Sequence, residues 1–426
     1  MKNRYLASNF LFYGFATGIN KGVLLIAIPL LSGLLTLEEY GLWSLSQVII
    51  AVLAPIVSLN GYSSILRYGV EDKLLGVSIF KKYIFYTLII SVLNLLFFIL
   101  YGVNWISLTF LLAQLEGFQA LLLGWTRSRD YNVNYLIISL IKITSIALSI
   151  SLLDVNSLDQ LLIGQLLFGA AILFSLYIYT IFRDFKLGSL KLTMKKYLSF
   201  SLFLIPHNVA LWILSSSDRF IIKNLLNEFE LGLYSLAYSL ALLLMLVNSG
   251  IALALPNFII KNYSYYIKSR IKIILISIYS LIAILTNLLL YLFIYLFHNK
   301  INYLAQIDDN IYQLIIWIFN GIYLLGLYYF YSNILFYNHK AKLISLNTFG
   351  VSLLNVLLTI ILVDKTGIMG AAIATFVAYL VYLILNVVIS FKIEERVKKD
   401  VLILSIITFF TLAVNFYLIY ILPSLN

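Results

Sequence analysis

The 426-residue sequence has no cysteine, only three histidines and few charged residues. Without cysteine the chain can form neither disulfides nor thiolate metal sites, and His207, His298 and His339 are too few for most histidine-based clusters. Charged residues make up 11% of the chain, against 62% hydrophobic residues and a mean hydropathy of +0.99. A water-soluble protein of this length has too little interior for so much apolar surface. The composition therefore predicts an integral membrane protein.

Apolar runs that are long enough to cross a bilayer as helices fill most of the chain. We predict thirteen spans, at about residues 10–35, 41–66, 81–102, 105–125, 132–154, 158–182, 197–222, 231–257, 271–297, 311–337, 343–363, 367–391 and 401–422. The first run is too long for a signal peptide and lacks a cleavage site of small residues, so we expect it to be retained. No external loop is long enough to form a soluble catalytic domain.

The distribution of positive charge predicts the orientation of the chain in the membrane. With the N-terminus placed in the cytoplasm, 23 of the 29 lysines and arginines fall in cytoplasmic segments and four in external ones. Cytoplasmic loops of membrane proteins carry such an excess of lysine and arginine. We therefore expect a cytoplasmic N-terminus. The net charge of +11 belongs to a membrane surface in this arrangement, and we expect no nucleic-acid partner.

A short sequence pattern occurs twice in the chain. Residues 39–45 read EYGLWSL and residues 230–236 read ELGLYSL, at an offset of 191 positions. A membrane chain whose second half begins like its first is typically built from two related lobes. We predict an all-α polytopic membrane fold with a six-helix lobe at 1–185, a cytoplasmic linker at 186–196, a second six-helix lobe at 197–391, and a cytoplasmic loop with a thirteenth helix at 392–426.

Four ionisable residues lie near the middle of their predicted spans: Lys21, Glu116, Lys142 and His207. A charge at the bilayer centre costs about 2.5–3.5 kcal/mol on insertion scales, so it needs a partner, a hydrated cavity or a function. We predict that the four side chains line a central substrate cavity of net positive charge. The structural alternative is one ion pair of Glu116 with a lysine, while the other lysine reaches an interface. His207 follows Pro206 and fits a helix kink equally well.

Three further charged residues lie close to the ends of predicted helices. Arg67 is near a cytoplasmic end, and Asp218 and Arg219 are near an external end. We predict that they form a gate or mouth of the transport path. An interface anchor at Arg67 and a helix cap at Asp218 and Arg219 are the alternatives. The sequence has no nucleophilic triad, phosphate-binding GxxxxGK motif or metal-binding cluster. We therefore expect neither an enzyme nor a cofactor, and coupling to protons or sodium ions is left open.

Several segments resemble Wzx-type flippases, which translocate O-antigen or capsule repeat units. These flippases belong to the multidrug/oligosaccharidyl-lipid/polysaccharide exporter superfamily. The matching segments are SDRFII at 217–222, ELGLYSLAY at 230–238 with Pro256 after it, and GIMGAAIAT at 367–375 preceded by Asn347 and Asn355. The first two resemble the opening of the flippase second lobe, and the third resembles its eleventh and twelfth helices.

The resemblance implies two six-helix bundles in a V, as in the multidrug exporters of that superfamily, around a cationic cavity with alternating access. The implied substrate is an undecaprenyl-pyrophosphate-linked oligosaccharide, moved from the cytoplasmic to the external leaflet of the bacterial cytoplasmic (inner) membrane for polysaccharide biosynthesis. The expected partners are this lipid-linked oligosaccharide, membrane lipids and the polysaccharide polymerase machinery, and we expect a monomer. Two alternatives stay open, a multidrug/cation antiporter of the same superfamily and a membrane-embedded polysaccharide polymerase. Two central lysines against one glutamate disfavour the first, and the short external loops disfavour the second.

Overall fold

In a computed structural model of the protein, the described residues are 23–421 apart from 24, 71, 185–192 and 269. Lys21, most of the first predicted span and most of the predicted linker lie outside the described residues. Within them, the regular secondary structure is entirely helical. A chain that lies in hydrocarbon satisfies its own backbone hydrogen bonds in this way.

Helical residues 25–31 are followed by fifteen α-helices and one short 3-10 helix in the described part. They are α1 (Leu37–Val57), α2 (Gly61–Gly69), α3 (Lys73–Tyr101), α4 (Trp105–Ser128), α5 (Asn132–Ser139), α6 (Ile141–Leu152), α7 (Leu158–Asp184), α8 (Lys195–Leu225), α9 (Glu228–Ala241), α10 (Leu243–Lys268), α11 (Ile271–Phe297), the 3-10 helix (Leu304–Gln306), α12 (Asp309–Tyr337), α13 (Ala341–Thr366), α14 (Ile368–Ile393) and α15 (Glu395–Ile421).

Ten of these helices are long and apolar enough to cross a membrane. Two further spans result if each of two bent helix pairs is counted as one, α5 with α6 at a bend of 45° and α9 with the beginning of α10 at 51°. The resulting twelve spans correspond to the second to thirteenth spans predicted from the sequence. The last of them, Asp400–Leu418, reaches the length of a span by itself.

The repeated sequence pattern marks the start of a helix in both halves of the chain. Before α1, the Thr36 hydroxyl accepts a hydrogen bond from the Glu39 backbone N–H, and the Glu39 carboxylate accepts one from the Thr36 backbone N–H. Before α9, the Asn227 side chain accepts a hydrogen bond from the Glu230 backbone N–H. In both copies the aromatic residue four positions after the glutamate is fully buried. The pattern thus encodes a capped helix start with an aromatic anchor.

By its internal contacts the described chain divides into two compact units. Unit 1 comprises residues 23 and 34–212, and unit 2 comprises residues 25–33 and 213–421. The division falls inside α8. The predicted lobe boundaries lie partly in residues that are not described, and they stay a prediction.

In unit 1, the beginning of α8 is held against α2 and α3 by polar contacts. The Tyr83 hydroxyl lies 2.7 Å from the Ser201 hydroxyl, and the Asn60 side chain donates a hydrogen bond of 3.2 Å to the Ser201 carbonyl oxygen. These groups are buried and out of contact with water, so they need hydrogen-bond partners within the protein. The contacts explain why the first half of α8 belongs to unit 1.

In unit 2, the thirteenth predicted span is an integral part of the fold. Asn415 of α15 donates a hydrogen bond of 2.9 Å to Asn320 of α12 and accepts one of 3.2 Å from Asn287 of α11. Near the start of α11, the buried ammonium of Lys272 lies 2.8 Å from a carboxylate oxygen of Asp400. Amide and charged groups buried in hydrocarbon need such partners, which fix the register of α15 on α11 and α12.

Candidate substrate cavity

Unit 1 contains a cavity of about 440 Å³ between α1, α2, α4 and α6. Its wall combines small or apolar residues with six polar side chains. The lining residues are Ala51, Ala54, Pro55, Ser58, Asn60, Tyr62, Glu116, Gln119, Ala120, Leu123 and Lys142. The volume lies within the range of about 300–1,000 Å³ that is typical of small-molecule sites. The structure therefore brings two of the predicted site residues, Glu116 and Lys142, to one cavity.

Glu116 and Lys142 form the charged part of the cavity wall. Lys142 Nζ lies 2.6 Å from Glu116 Oε1, and the two side chains are 19% and 26% exposed, lysine first. Each charge therefore has the partner that a charge within the membrane requires. This pair is the structural alternative considered for Glu116, and it offsets the charge of Lys142 in the cavity wall. The predicted net positive charge of the cavity stays a prediction.

The close approach of α1 to α4 shapes one side of the cavity. Gly117 follows Glu116, and a Cβ at this glycine would lie 2.9 Å from Val57 Cγ2 and 3.3 Å from the Ala54 carbonyl oxygen. Only a residue without a side chain lets the two helices approach this closely. The glycine thereby sets how close α1 comes to the carboxylate.

The other side of the cavity depends on the bend between α5 and α6. Lys142 is the second residue of α6, directly after this bend at Leu140. The Ser139 hydroxyl bonds back to the carbonyl oxygen four residues earlier at 2.8 Å, a contact that often accompanies bent helices. Gln119 of α4 donates a hydrogen bond of 2.7 Å to the Ile138 carbonyl oxygen. This bond ties α4 to the end of α5 directly before the bend, so Gln119 helps to position the lysine.

Several polar residues associated with the cavity, Ser58 among them, were not predicted from the sequence. Asn60 and Tyr62 belong to the turn and helix that follow α1, and Arg127 donates a hydrogen bond of 2.6 Å to the Tyr62 hydroxyl. Arg127 has the helical spacing of Leu123 and Gln119 and so follows the cavity-lining face of α4. This spacing could have identified Arg127 as a residue near the cavity. The arginine also lies close to Trp125 near the end of a span, however, and that position is typical of an ordinary cytoplasmic anchor.

The remaining predicted cavity residues are not brought together with Glu116 and Lys142 in the described part of the chain. His207 is half-buried in α8, its Nδ1 is buried without a hydrogen-bond partner, and it does not line the cavity. Lys21 lies outside the described residues. Arg67 is exposed in the last turn of α2, with its guanidinium 5.9 Å from the Tyr68 ring, a position that suits an interface anchor.

Asp218 and Arg219 lie inside unit 2, where they are 2% and 1% exposed. The Tyr234 hydroxyl donates a short hydrogen bond to the Asp218 carboxylate, and the Arg219 guanidinium lies 4.2 Å from the ring of Tyr238. The arginine Nη1 is 3.7 Å from Asp218 Oδ1, and among the described residues its Nε and Nη2 have no hydrogen-bond partner. Because α8 continues to Leu225, the two residues do not cap it. Their role at a gate stays a prediction.

Comparison with family models and with curated proteins finds no match. Solved structures do match over nearly the whole chain. An inward-facing conformation of a multidrug resistance MATE family transporter of the MOP superfamily has a TM-score of 0.64 and 14% identity, covering 91% of this chain and 96% of that one. An outward-facing conformation of a transporter with the same description has a TM-score of 0.60 at 16% identity, with 92% and 96% covered. The chain has the MATE fold.

A third structure with the MATE fold, that of the multidrug transporter DinF-BH, has a TM-score of 0.61 and 15% identity, with 92% and 96% covered. These likenesses confirm the predicted all-α polytopic fold with two six-helix lobes. At such identities the likeness concerns the fold alone. In the described residues, no group of three or more His, Asp or Glu side chains is placed to hold a metal ion.

Proposed function

We propose that this protein flips undecaprenyl-pyrophosphate-linked oligosaccharides from the cytoplasmic to the external leaflet of the bacterial cytoplasmic membrane by alternating access, for surface polysaccharide biosynthesis. The polar cavity of unit 1 is the observation that carries the proposal, because the charged groups of Lys142 and Glu116 face the same space as amide and hydroxyl groups. Inward-facing and outward-facing structures among those with the same fold support the transport cycle.

The chemistry of the cavity suits a headgroup that contains both sugar hydroxyls and phosphates. Each hydroxyl both donates and accepts hydrogen bonds, so it needs a wall with both kinds of group, such as Gln119 and Glu116. A phosphate needs a cation; Lys142 lines the cavity, and Arg127 is bonded to the Tyr62 hydroxyl in its wall. A lipophilic cation would instead favour a carboxylate without a neighbouring ammonium.

The ion pair gives the proposed cycle a way to release Lys142 to the substrate. When a phosphate oxygen replaces Glu116 as the partner of Lys142, the carboxylate loses its own partner in a low-dielectric space. Uptake of a proton by Glu116 removes that uncompensated charge. Coupling to a proton is therefore part of the proposal, and it gives Glu116 a role that a simple structural pair would not have.

The test is a flipping assay in proteoliposomes with a fluorescent lipid-diphosphate oligosaccharide. We expect Lys142→Met to slow flipping about tenfold or more, as expected for the loss of a hydrogen bond to a charged group, and Lys142→Arg to retain part of the rate. Lys365→Met is the matched control, since this lysine is exposed at the end of α13. Wild-type flipping by the Lys142→Met protein would overturn the proposed role of the cavity.

A second candidate function is export of organic cations, and one observation in unit 2 favours it. A cavity of about 380 Å³ near the end of α11 is lined by tyrosines and by Asp308 and Asp309, without lysine or arginine. Aromatic faces with carboxylates attract organic cations. A fluorescent organic cation in the same proteoliposomes separates the candidates. Uptake of the cation that is lost in Asp309→Asn, together with absent flipping, would replace the flippase by an antiporter.

A further inference from the structure

The end of unit 1 that the charge pattern assigns to the cytoplasm is organised around one buried carboxylate, Asp184. Trp125 donates a hydrogen bond to it at 2.9 Å, and Arg183 donates one at 3.2 Å. The Tyr131 hydroxyl lies at 3.4 Å, and Lys73 Nζ lies 3.7 Å from its Oδ1. Each carboxylate oxygen therefore already has two partners. Asp184 has little capacity left for another cation.

Arg129 is a cation of this cluster that forms no direct ion pair in the described part of the chain, although Asp184, Asp72 and Asp130 act on it electrostatically. It follows α4 as its C-cap residue, and its guanidinium lies 5.1 Å from the Trp125 ring. Its Nε and Nη2 are buried and have no hydrogen-bond partner among the residues that the structure describes. Burial lowers the pKa of this guanidinium below its ordinary value, although Tyr131 and Asp184 partly oppose the shift. Two unpartnered donors on one guanidinium match two oxygens of a phosphate.

The Arg129 donors lie beside the first turn of α3, which begins with another available cation. A Cβ at Gly76 would lie 3.0 Å from the Trp125 ring and 3.5 Å from Arg129 Nη2, so the glycine lets α3 pack closely beside the guanidinium. Lys73 lies one turn before this glycine, and its side chain is 43% exposed. Its flexible stem can move the ammonium from Asp184 to an anion next to Arg129. An arginine and a lysine are thus available to one oxyanion.

The surroundings indicate that this anion belongs to a lipid. The side chains of Leu74, Tyr179 and Phe182, which neighbour the cluster along α3 and α7, are 38%, 50% and 71% exposed. Such apolar exposure at the end of a membrane helix faces acyl chains, and tyrosine is enriched at the level of the headgroups. Basic pockets between helices at the cytoplasmic side bind anionic lipid headgroups. A soluble anion would gain nothing from the apolar side chains.

We propose that Arg129 and Lys73 form a binding site for the phosphate group of a lipid at the predicted cytoplasmic end of unit 1. The site is separate from the cavity of Glu116 and Lys142, and it does not depend on which substrate is transported. The phosphate can come from an anionic phospholipid of the surrounding bilayer or from the diphosphate of a polyprenyl carrier. The recognition chemistry is the same for both.

The experiment measures lipid binding to the purified full-length protein in a neutral detergent. Phosphatidylglycerol, a polyprenyl diphosphate and zwitterionic phosphatidylcholine are each titrated, with native mass spectrometry as the readout. We expect Arg129→Gln to weaken binding of at least one anionic lipid about tenfold, the size expected for a lost hydrogen bond to a charged group. Arg129→Lys should lose less. Lys82→Gln is the control, because Lys82 is exposed on the same helix as Lys73.

The two lipid titrations identify the source of the phosphate. A loss confined to phosphatidylglycerol supports a resident lipid, a loss confined to the polyprenyl diphosphate supports a site of substrate entry, and losses for both support a shared site. If Arg129→Gln fails to fold, Lys73→Gln provides the same comparison at an exposed position. Binding of both anionic lipids as in the wild type by every one of these variants that folds would overturn the proposal.

Discussion

Replacing the Glu116 carboxylate by the isosteric amide, Glu116→Gln, leaves Lys142 without its counter-charge in the wall of the cavity. At 2.6 Å and an effective dielectric constant of about 20, the gross Coulomb attraction is about 6 kcal/mol. Desolvation of both groups opposes most of this attraction. The side chains are 19% and 26% exposed, between a surface pair and a fully buried one. We therefore expect a net coupling energy of about 1–3 kcal/mol.

A double-mutant cycle measures this coupling through the free energy of unfolding. The cycle compares the wild type, Glu116→Gln, Lys142→Met and the double variant, all unfolded by denaturant in the same mixed micelles. Each single variant should be destabilised, and the double variant by less than the sum of the two. The reference is the pair of Lys223 and Glu228, which are 3.6 Å apart with the glutamate 48% exposed. There we expect a coupling below about 0.5 kcal/mol. A coupling at Glu116 and Lys142 no larger than at the reference pair would refute the reasoning.

Two further predictions concern unit 2. Gly370→Ala should lower the free energy of unfolding by about 1–3 kcal/mol or more, because a Cβ would clash with the Leu362 carbonyl oxygen. Gly350→Ala is the control, since a Cβ there meets open space and should be neutral or stabilising. Equal effects of the two substitutions on the free energy of unfolding would contradict the packing of α13 on α14. Lys272→Met should destabilise the protein by about 3–5 kcal/mol, because it leaves the Asp400 carboxylate unpaired, and the further substitution Asp400→Leu should recover much of that stability. An unchanged denaturation midpoint of Lys272→Met would contradict a buried ion pair.

The spans and the helix starts were predictable because they depend on local properties of the sequence. Run length and hydropathy locate α3 or α11 without knowledge of the neighbouring helices. The repeated pattern at Glu39 and Glu230 predicted two related halves, and in both halves it marks a capped helix start. The depth of Glu116 and Lys142 within their spans selected two residues that line one cavity, and their role as site residues stays a prediction.

The parts of the structure that were not predicted depend on contacts between distant segments. The bends at Leu140 and Leu242 contain no proline or glycine, so the sequence around them reads as continuous helix. The division between the units falls inside α8, because contacts of Tyr83 hold its first half in unit 1. The burial of Arg219 was also not predicted, since its place near the end of an apolar run is equally typical of an interface.

The most direct test of the proposed function uses the absence of cysteine from the chain. Ala120→Cys places one thiol in the wall of the cavity, and its rate of maleimide labelling reports whether the space is occupied. A cysteine at Lys365, which is exposed in the last turn of α13, serves as the control. A lipid-diphosphate oligosaccharide should slow labelling at position 120 and leave the control unchanged. Labelling at position 120 that is unaffected by this lipid but slowed by an organic cation would contradict a flippase cavity.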